Sequence, residues 1–313
     1  MRTSIPNPLE TTSPTAERPS FRSQARAFGA ALRPRQWVKN LLVFAAPGAA
    51  GILGEREVFV RATLAFVALC LLSSAAYLVN DVLDGPRDRL HPVKRLRPIA
   101  SGALDRRIAL GGAIVLSAGG LALGAVISAP FVLVELAYVS ITLAYSLFLK
   151  RIAVIDLASV AAGYVLRAIA GGIATGVAPS AWFLILAASG AWLVVAGKRL
   201  ADLPLSAGED PEARSSPTSA GYPSEYLRGV WIVACAVSIA AYCLWAFAVP
   251  HRVDGVAWSQ VSIVPFALAL LRYAYVIELG WGGAPEVVFS RDRVLQVLVL
   301  LWLVVYVTGV YLK

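Results

Sequence analysis

Along the chain, apolar residues gather into long runs interrupted by charges or by Pro and Gly. The runs fall at about 37–54, 58–80, 108–128, 130–149, 152–175, 180–197, 229–249, 258–278 and 293–312. Each is close to the roughly 20 residues that a helix needs to cross a hydrocarbon core. The pattern predicts an all-α integral membrane protein with about nine transmembrane helices bundled around a central cavity. Residues 1–30 are different: they are rich in Ser, Thr, Pro and Arg and have no apolar core. That composition argues against a signal peptide and for a disordered cytoplasmic tail. The expected organisation is this tail, 1–30, followed by one polytopic helical membrane domain, 31–313.

Composition narrows the class further. With 58% hydrophobic and 15% charged residues and a mean hydropathy of +0.70, neither a soluble enzyme nor a disordered chain is expected. The 28 Lys+Arg exceed the 19 Asp+Glu and leave a net charge of +9. These cations form no stripe with interleaved aromatics, so they are read as marks of cytoplasmic loops rather than of nucleic-acid binding. With a cytoplasmic N-terminus, the loop after the second run carries seven of them between Arg87 and Arg107. Later loops on that side carry Lys150, Arg151, Lys198, Arg199, Arg214, Arg228, Arg291 and Arg293, against Arg56, Arg61 and Arg252 on the other. Cys70, Cys235 and Cys243 lie inside apolar runs without CxxC spacing, which points to neither disulfides nor metal thiolates.

Two connections on the basic side are long, about 81–107 and 198–228, and the stretch Ser206 to Tyr222 reads as flexible or lid-like. At the start of the first, YLVNDVLDGPRD places Tyr77, Asn80, Asp81, Asp84 and Asp88 at the mouth of the second span. On a helix, positions 77, 80, 84 and 88 share a face. An amide oxygen and carboxylates converging there are hard ligands suited to Mg²⁺, which keeps waters and shares itself with substrate phosphates. Gly85-Pro86 is expected to interrupt the helix before Asp88, because Pro removes a backbone donor and clashes with the preceding turn. The following segment, DRLHPVKRLRPIASG, supplies His91, Lys94, Arg95 and Arg97 as partners for phosphate oxygens. Acids beside bases point to a Mg²⁺–diphosphate site. Within the fifth span, Asp156 and Arg167 stand about three turns apart on nearly one face. An intramembrane Arg is costly unless it faces a partner or a wet cavity, so Arg167 is a candidate functional residue.

These pieces together carry a resemblance. NDxxDxxxD at Asn80 to Asp88, HPxKxxRPIASG at His91 to Gly102, and YxxxxKR at Tyr145 to Arg151 resemble the UbiA-type polytopic prenyltransferase superfamily, from about residue 30 onward. The resemblance implies a nine-helix bundle with a Mg²⁺-bound diphosphate donor at the cytoplasmic mouth and a lateral opening for a long isoprenoid. Aromatic prenyltransferases of that superfamily carry a second DxxxD motif after the sixth span. Here the place reads GKRLADL, with Lys198 and Arg199 where acids are expected and Asp202 remaining. A basic pair can hold a further phosphate but cannot coordinate a second metal.

With RPxQWxKN at Arg33 to Asn40, the set resembles most the decaprenyl-phosphate phosphoribosyltransferase branch. That resemblance implies transfer of 5-phosphoribose from 5-phosphoribosyl 1-diphosphate (PRPP) to a polyprenyl phosphate at the plasma membrane, yielding a lipid-linked precursor for cell-wall arabinan. It also implies roles: Asn80 and Asp84, with Asp88 or Asp81, on Mg²⁺; Tyr77 and Lys94 on diphosphate or ribose; Arg167 and Lys198 clamping the donor's phosphates. Lys39, Tyr145, Lys150, Arg97 and Arg199 belong to the same substrate-binding set, the acceptor phosphate and the donor 5-phosphate both being open to its cations. Beyond these two substrates the expected partners are membrane lipids, and a homo-oligomer is left open. An aromatic prenyltransferase, or a transporter with Asp156, Arg167 and Arg272 as a relay, are the competing readings.

Overall fold

The computed structural model describes residues 21–201, 221–248, 252–253, 255–279 and 285–311. Eight of its helices are long and apolar enough to cross a membrane, and the protein is a multi-pass membrane protein. In chain order these spans are α3 (Arg56–Asp88), α4 (Arg106–Ile127), α5 (Ala129–Leu147), α6 (Ile155–Thr175), α7 (Ala181–Ala201), α8 (Ser224–Ala248), a span formed by α9 (Trp258–Val261) with α10 (Ile263–Glu278), and α12 (Arg293–Tyr311). Shorter elements are α1 (Phe21–Ala31), α2 (Ala45–Ala49), α11 (Pro285–Arg291) and an antiparallel hairpin pairing β1 (Arg252–Val253) with β2 (Val256–Ala257).

Local chemistry sets many of the boundaries. The Asp105 carboxylate accepts the Arg107 N–H at the start of α4. Ser128 and Ser180 do the same for Phe131 and Phe183 at the starts of α5 and α7, and Asp292 caps α12 through Leu295. Each cap satisfies one of the amides that a helix start leaves without an internal partner. The α6 helix ends at Gly176 with φ 73, a left-handed position that glycine takes without strain.

Three sequence expectations are corrected. First, the run 37–54 is not a continuous α-helix: Pro34–Phe44 forms a 3-10 helix that passes into the short α2. Its start follows Arg33, held left-handed at φ 53, and it lies so close to α6 that a Cβ on Gly171 would overlap the Val43 carbonyl. That close approach replaces the ninth regular span.

Second, residues 21–30 of the expected disordered tail form most of α1. Its apolar face (Ala27, Phe28 and Ala31) packs with Leu78, Leu104 and Ala109 on α3, the following loop and α4, and this burial stabilises a segment that composition alone marks as polar.

Third, Pro86 does not interrupt α3, which continues to Asp88. Pro deletes a hydrogen bond only within the last turn, where the helix is ending anyway. At 33 residues the helix is about 50 Å long, well beyond a roughly 30 Å hydrocarbon core. Its final turns, from about Tyr77, carry the polar motif on a rigid element.

Among the described residues the core has two large centres, besides the α1 cluster and a smaller one. One joins α3, α5, α6 and the 3-10 segment through Val43, Ala65, Leu69, Leu72, Phe131 and Ala170. The other joins α7, α8, α10 and α12 through Leu193, Trp231, Ala269, Val276 and Leu295. At the end opposite the polar motif, Tyr311 Oη donates to the Gly48 carbonyl (3.3 Å), bringing the last helix against the first membrane segment.

Candidate active site

The acidic motif at the end of α3 divides into two environments. Asp81 and Asp88 are buried, at 2% and 4% exposure. Arg97, from the loop between α3 and α4, donates to Asp88 Oδ2 at 2.6 Å and to Asp81 Oδ1 at 3.3 Å. Arg33, just before the 3-10 segment, donates to the same Asp81 oxygen at 2.6 Å and lies over the Tyr77 ring at 4.9 Å. These two acids thus fasten the loop and the N-terminal segment to α3. Asp84 is half-buried; Asn80 Nδ2 donates to its Oδ2 (3.1 Å), and Lys150, from the turn after α5, donates to its Oδ1 (2.6 Å).

Of the three residues expected as metal ligands, Asn80 and Asp84 lie together in one hydrogen bond, whereas Asp88 is turned to Arg97. Asn80 gives one of its two amide N–H groups to Asp84, and its carbonyl oxygen remains a hard acceptor on the same side chain. Among the described residues no three acidic, histidine or cysteine side chains form a metal-holding group. Two hard oxygens are a sparse set, and sparse protein ligation is what Mg²⁺ uses when it shares its shell with water and phosphate. Asn80 and Asp84 fit that role, whereas Asp88 and Asp81 are engaged by arginine.

The basic loop that follows carries surplus positive charge. Burial, then the neighbouring Arg97, holds the Lys94 ammonium below the usual lysine range. Desolvation, then Lys94, pulls His91 down as well, and His91 Nδ1 accepts the backbone N–H groups of Val93 and Lys94. Bases shifted this way would be relieved by an anion. Lys39 sits half-buried on the 3-10 segment, between Trp37, which donates to Ser74 (3.0 Å), and Asn40.

Arg167 lies apart from this cluster. It is 6% exposed and donates to Asn40 Oδ1, the Gly163 carbonyl and Tyr138 Oη, each at 2.7 Å. Its guanidinium also stands 4.8 Å from the centre of the Tyr138 ring. All three acceptors are neutral, so the intramembrane cation is solvated by dipoles and a π-face. Asn40 ties that knot to α3 through Cys70 and Ser73. Asp156 pairs with Arg199 (3.1 Å), and Tyr145 accepts from the same guanidinium (3.3 Å). Of the GKR segment, therefore, Arg199 is buried and paired, whereas Lys198 is exposed. Asp202 and all but the last two residues of Ser206 to Tyr222 lie outside the described residues. Arg272 and Glu278 go to other partners, Asp292 (2.8 Å) and Arg228 (3.2 Å).

Four residues that organise these clusters had no role assigned from the sequence: Arg33 and Asn40, which bound the RPxQWxKN segment, Tyr138, and Tyr222, whose hydroxyl donates to Asp156. Asn40 carried a signal, being an amide inside an apolar run; Tyr138 and Tyr222 carried none. Sequence reasoning also passed over Glu135 on α5, fully buried against Gly124 with no partner for either carboxylate oxygen among the described residues. An apolar groove of about 460 Å³ between α7 and α8, lined by Ser189, Trp192, Tyr226 and Val230 among others, contains none of the expected site residues.

At the backbone, Val154 precedes α6 with φ 70. A β-branched residue there is a genuine outlier that costs about 1–3 kcal/mol and persists only where its surroundings hold it.

Known proteins resemble the chain at the level of both sequence and fold. A decaprenyl-phosphate phosphoribosyltransferase of Corynebacterium glutamicum is 44% identical over 296 residues, 90% of this chain and 86% of that one. One of the same name from Mycobacterium tuberculosis is 44% identical over 279 residues, 87% and 90% of the two chains. A solved UbiA homologue from Archaeoglobus fulgidus, bound to GPP and Mg²⁺, has the same fold, with a TM-score of 0.68 at 19% identity over 91% of this chain and 99% of that one. The model of the UbiA prenyltransferase family matches residues 41–304, and the chain belongs to that family.

Proposed function

We propose that the protein transfers 5-phosphoribose from PRPP to a polyprenyl phosphate of the decaprenyl type, releasing diphosphate. The observation that carries this reading is the charge of the mouth. One part-exposed amide–carboxylate pair, Asn80 and Asp84, meets Lys150 and lies within electrostatic reach of Lys94, while the remaining acids of the motif are neutralised by arginine. Such a site suits two substrates that both bear phosphate. The relatives of that name, 44% identical over most of their length, support the same assignment.

Asn80 and Asp84 would hold Mg²⁺, which supplies charge neutralisation to a diphosphate leaving group when bound. Lys150 and Lys94 are placed to receive diphosphate oxygens as point charges. Arg97 acts one step back, keeping the loop that carries Lys94 against α3. Lys198, exposed at the end of α7, is free to meet the donor's 5-phosphate. Arg167 fixes the 3-10 segment, and through it the place of Lys39, rather than reaching the diphosphate. The acceptor phosphate is anionic near neutral pH, so attack on C1 needs no strong general base, and in-line displacement inverts that carbon. The excess of Lys and Arg at this end of the bundle supports a mouth on the cytoplasmic side; a plasma-membrane location follows from the proposed reaction alone.

The test is a transfer assay on detergent-purified protein. It offers labelled PRPP with polyprenyl phosphate and, separately, labelled prenyl diphosphate with an aromatic acid, each with and without Mg²⁺. Label passing from PRPP to the lipid fraction only with Mg²⁺ is the expected result. Label passing only from the prenyl donor would replace this reading by an aromatic prenyltransferase.

A further inference from the structure

Tyr222 lies outside every polar motif, yet its hydroxyl is a junction. It donates to Asp156 and accepts the Val154 N–H. Its ring stacks on Tyr226, 5.8 Å away and 10° from parallel, and packs with Leu157, Val195 and Leu227. Burial and the Asp156 carboxylate push its hydroxyl up to about 12, so the proton stays on the oxygen at any ordinary pH.

What the junction holds is a short connection. Between α5 and α6, the turn Leu149–Arg151 presents Lys150 to Asp84 at 2.6 Å, and four residues later Val154 takes its left-handed φ. Nothing about valine favours that conformation. The Tyr222 hydroxyl grips its amide and, two residues on, the carboxylate that Arg199 also binds. We infer that Tyr222 is a positioning residue: by holding the turn at Val154 it sets Lys150 against Asp84, and so couples the start of α8 to the first acidic motif. The inference builds on the proposed function only where donor kinetics are concerned; its structural part stands separately.

Amine labelling of the folded protein, read residue by residue by mass spectrometry, tests that part without any substrate. In Tyr222→Phe, which keeps the stacked ring, Lys150 should label several-fold faster than in the wild type, with exposed Lys198 unchanged as the control. Val154→Gly added to Tyr222→Phe should restore slow labelling, because glycine takes a positive φ without help. It also serves as the second variant if the single one is poorly folded. In kinetics, Tyr222→Phe should raise the PRPP KM roughly fivefold with the acceptor KM unchanged, and should add nothing on a Lys150→Ala background. Unchanged Lys150 labelling, or effects of the two substitutions that multiply, would overturn the inference; so would a lowered melting temperature with Lys150 as protected as before. If Lys150 is unmasked but the wild type does not use PRPP, the proposed function fails and the positioning role stands.

Discussion

Asp81 and Asp84 are less than one helical turn apart on the same rigid helix, yet their surroundings differ in kind. The Asp81 side chain is 2% exposed and receives two guanidinium groups, whereas Asp84 is 24% exposed and meets one ammonium and one amide. A guanidinium holds a carboxylate in a fixed, directional fork, while an ammonium is a compact charge on a flexible stem. The first arrangement locks segments together, and the second leaves a ligand available. An acid-rich motif is therefore not a uniform metal trap: part of it builds the mouth, and the part left accessible is the one the proposed function puts to work.

The sharpest way to break this comparison is at Asp84. Asp84→Asn should lower transfer activity by about 100-fold or more, as loss of a central electrostatic group does, with melting behaviour near wild type. Near-normal activity with intact metal dependence would make Asp84 structural like its neighbour. Asp81→Asn should do the opposite. It leaves Arg33 and Arg97 facing a neutral amide at a buried position, and should cost about 1–3 kcal/mol of stability, seen as a lower melting temperature with activity per folded molecule largely kept. A catalytic collapse at unchanged stability would erase the distinction.

Lys198→Ala should raise the PRPP KM by about tenfold, equivalent to about 1.4 kcal/mol, with little effect on folding; unchanged donor kinetics would remove Lys198 from the site. The smallest effect belongs to Asp292, another arginine-locked acid. Its hydrogen bonds from Arg272, against some desolvation, hold it below the usual carboxylate range. A depressed folded value adds stability above the unfolded-state pKa of about 3.9, and that contribution fades as pH falls through the folded value. Asp292→Asn should therefore flatten the acid side of the stability profile, and an unchanged profile would mean that the pair is loosely held.

Much of the candidate site was legible because it is local. Asn80 and Asp84 share a helix face by spacing alone, and Lys94, Arg97 and Lys150 announce themselves as cations at span ends. The division of labour among the acids was not legible, because it depends on Arg33, which is 48 residues from Asp81, and on how Arg97 folds back. Arg167 was flagged for its cost in the membrane, but its partners Asn40 and Tyr138 lie 127 and 29 residues away, beyond any periodicity. Lys150 and Arg167 stand near Asp156 along the chain; the structure pairs it with Arg199 and Tyr222 instead, since residues eleven apart on a rigid helix cannot approach each other while neighbouring helices can.

Hydrophobic runs of span length determined the class of this protein and the eight candidate spans among its described residues, because a helix satisfies all its backbone hydrogen bonds within its own segment in a bilayer. The motif chemistry likewise determined which end of the bundle carries the candidate site. Tertiary structure alone decided that the first run becomes a 3-10 segment pressed on Gly171, which acids are locked by arginine, and how Tyr222 meets Val154. Those outcomes depend on contacts between helices distant in sequence, where the partner of a charge is set by packing and not by its neighbours along the chain.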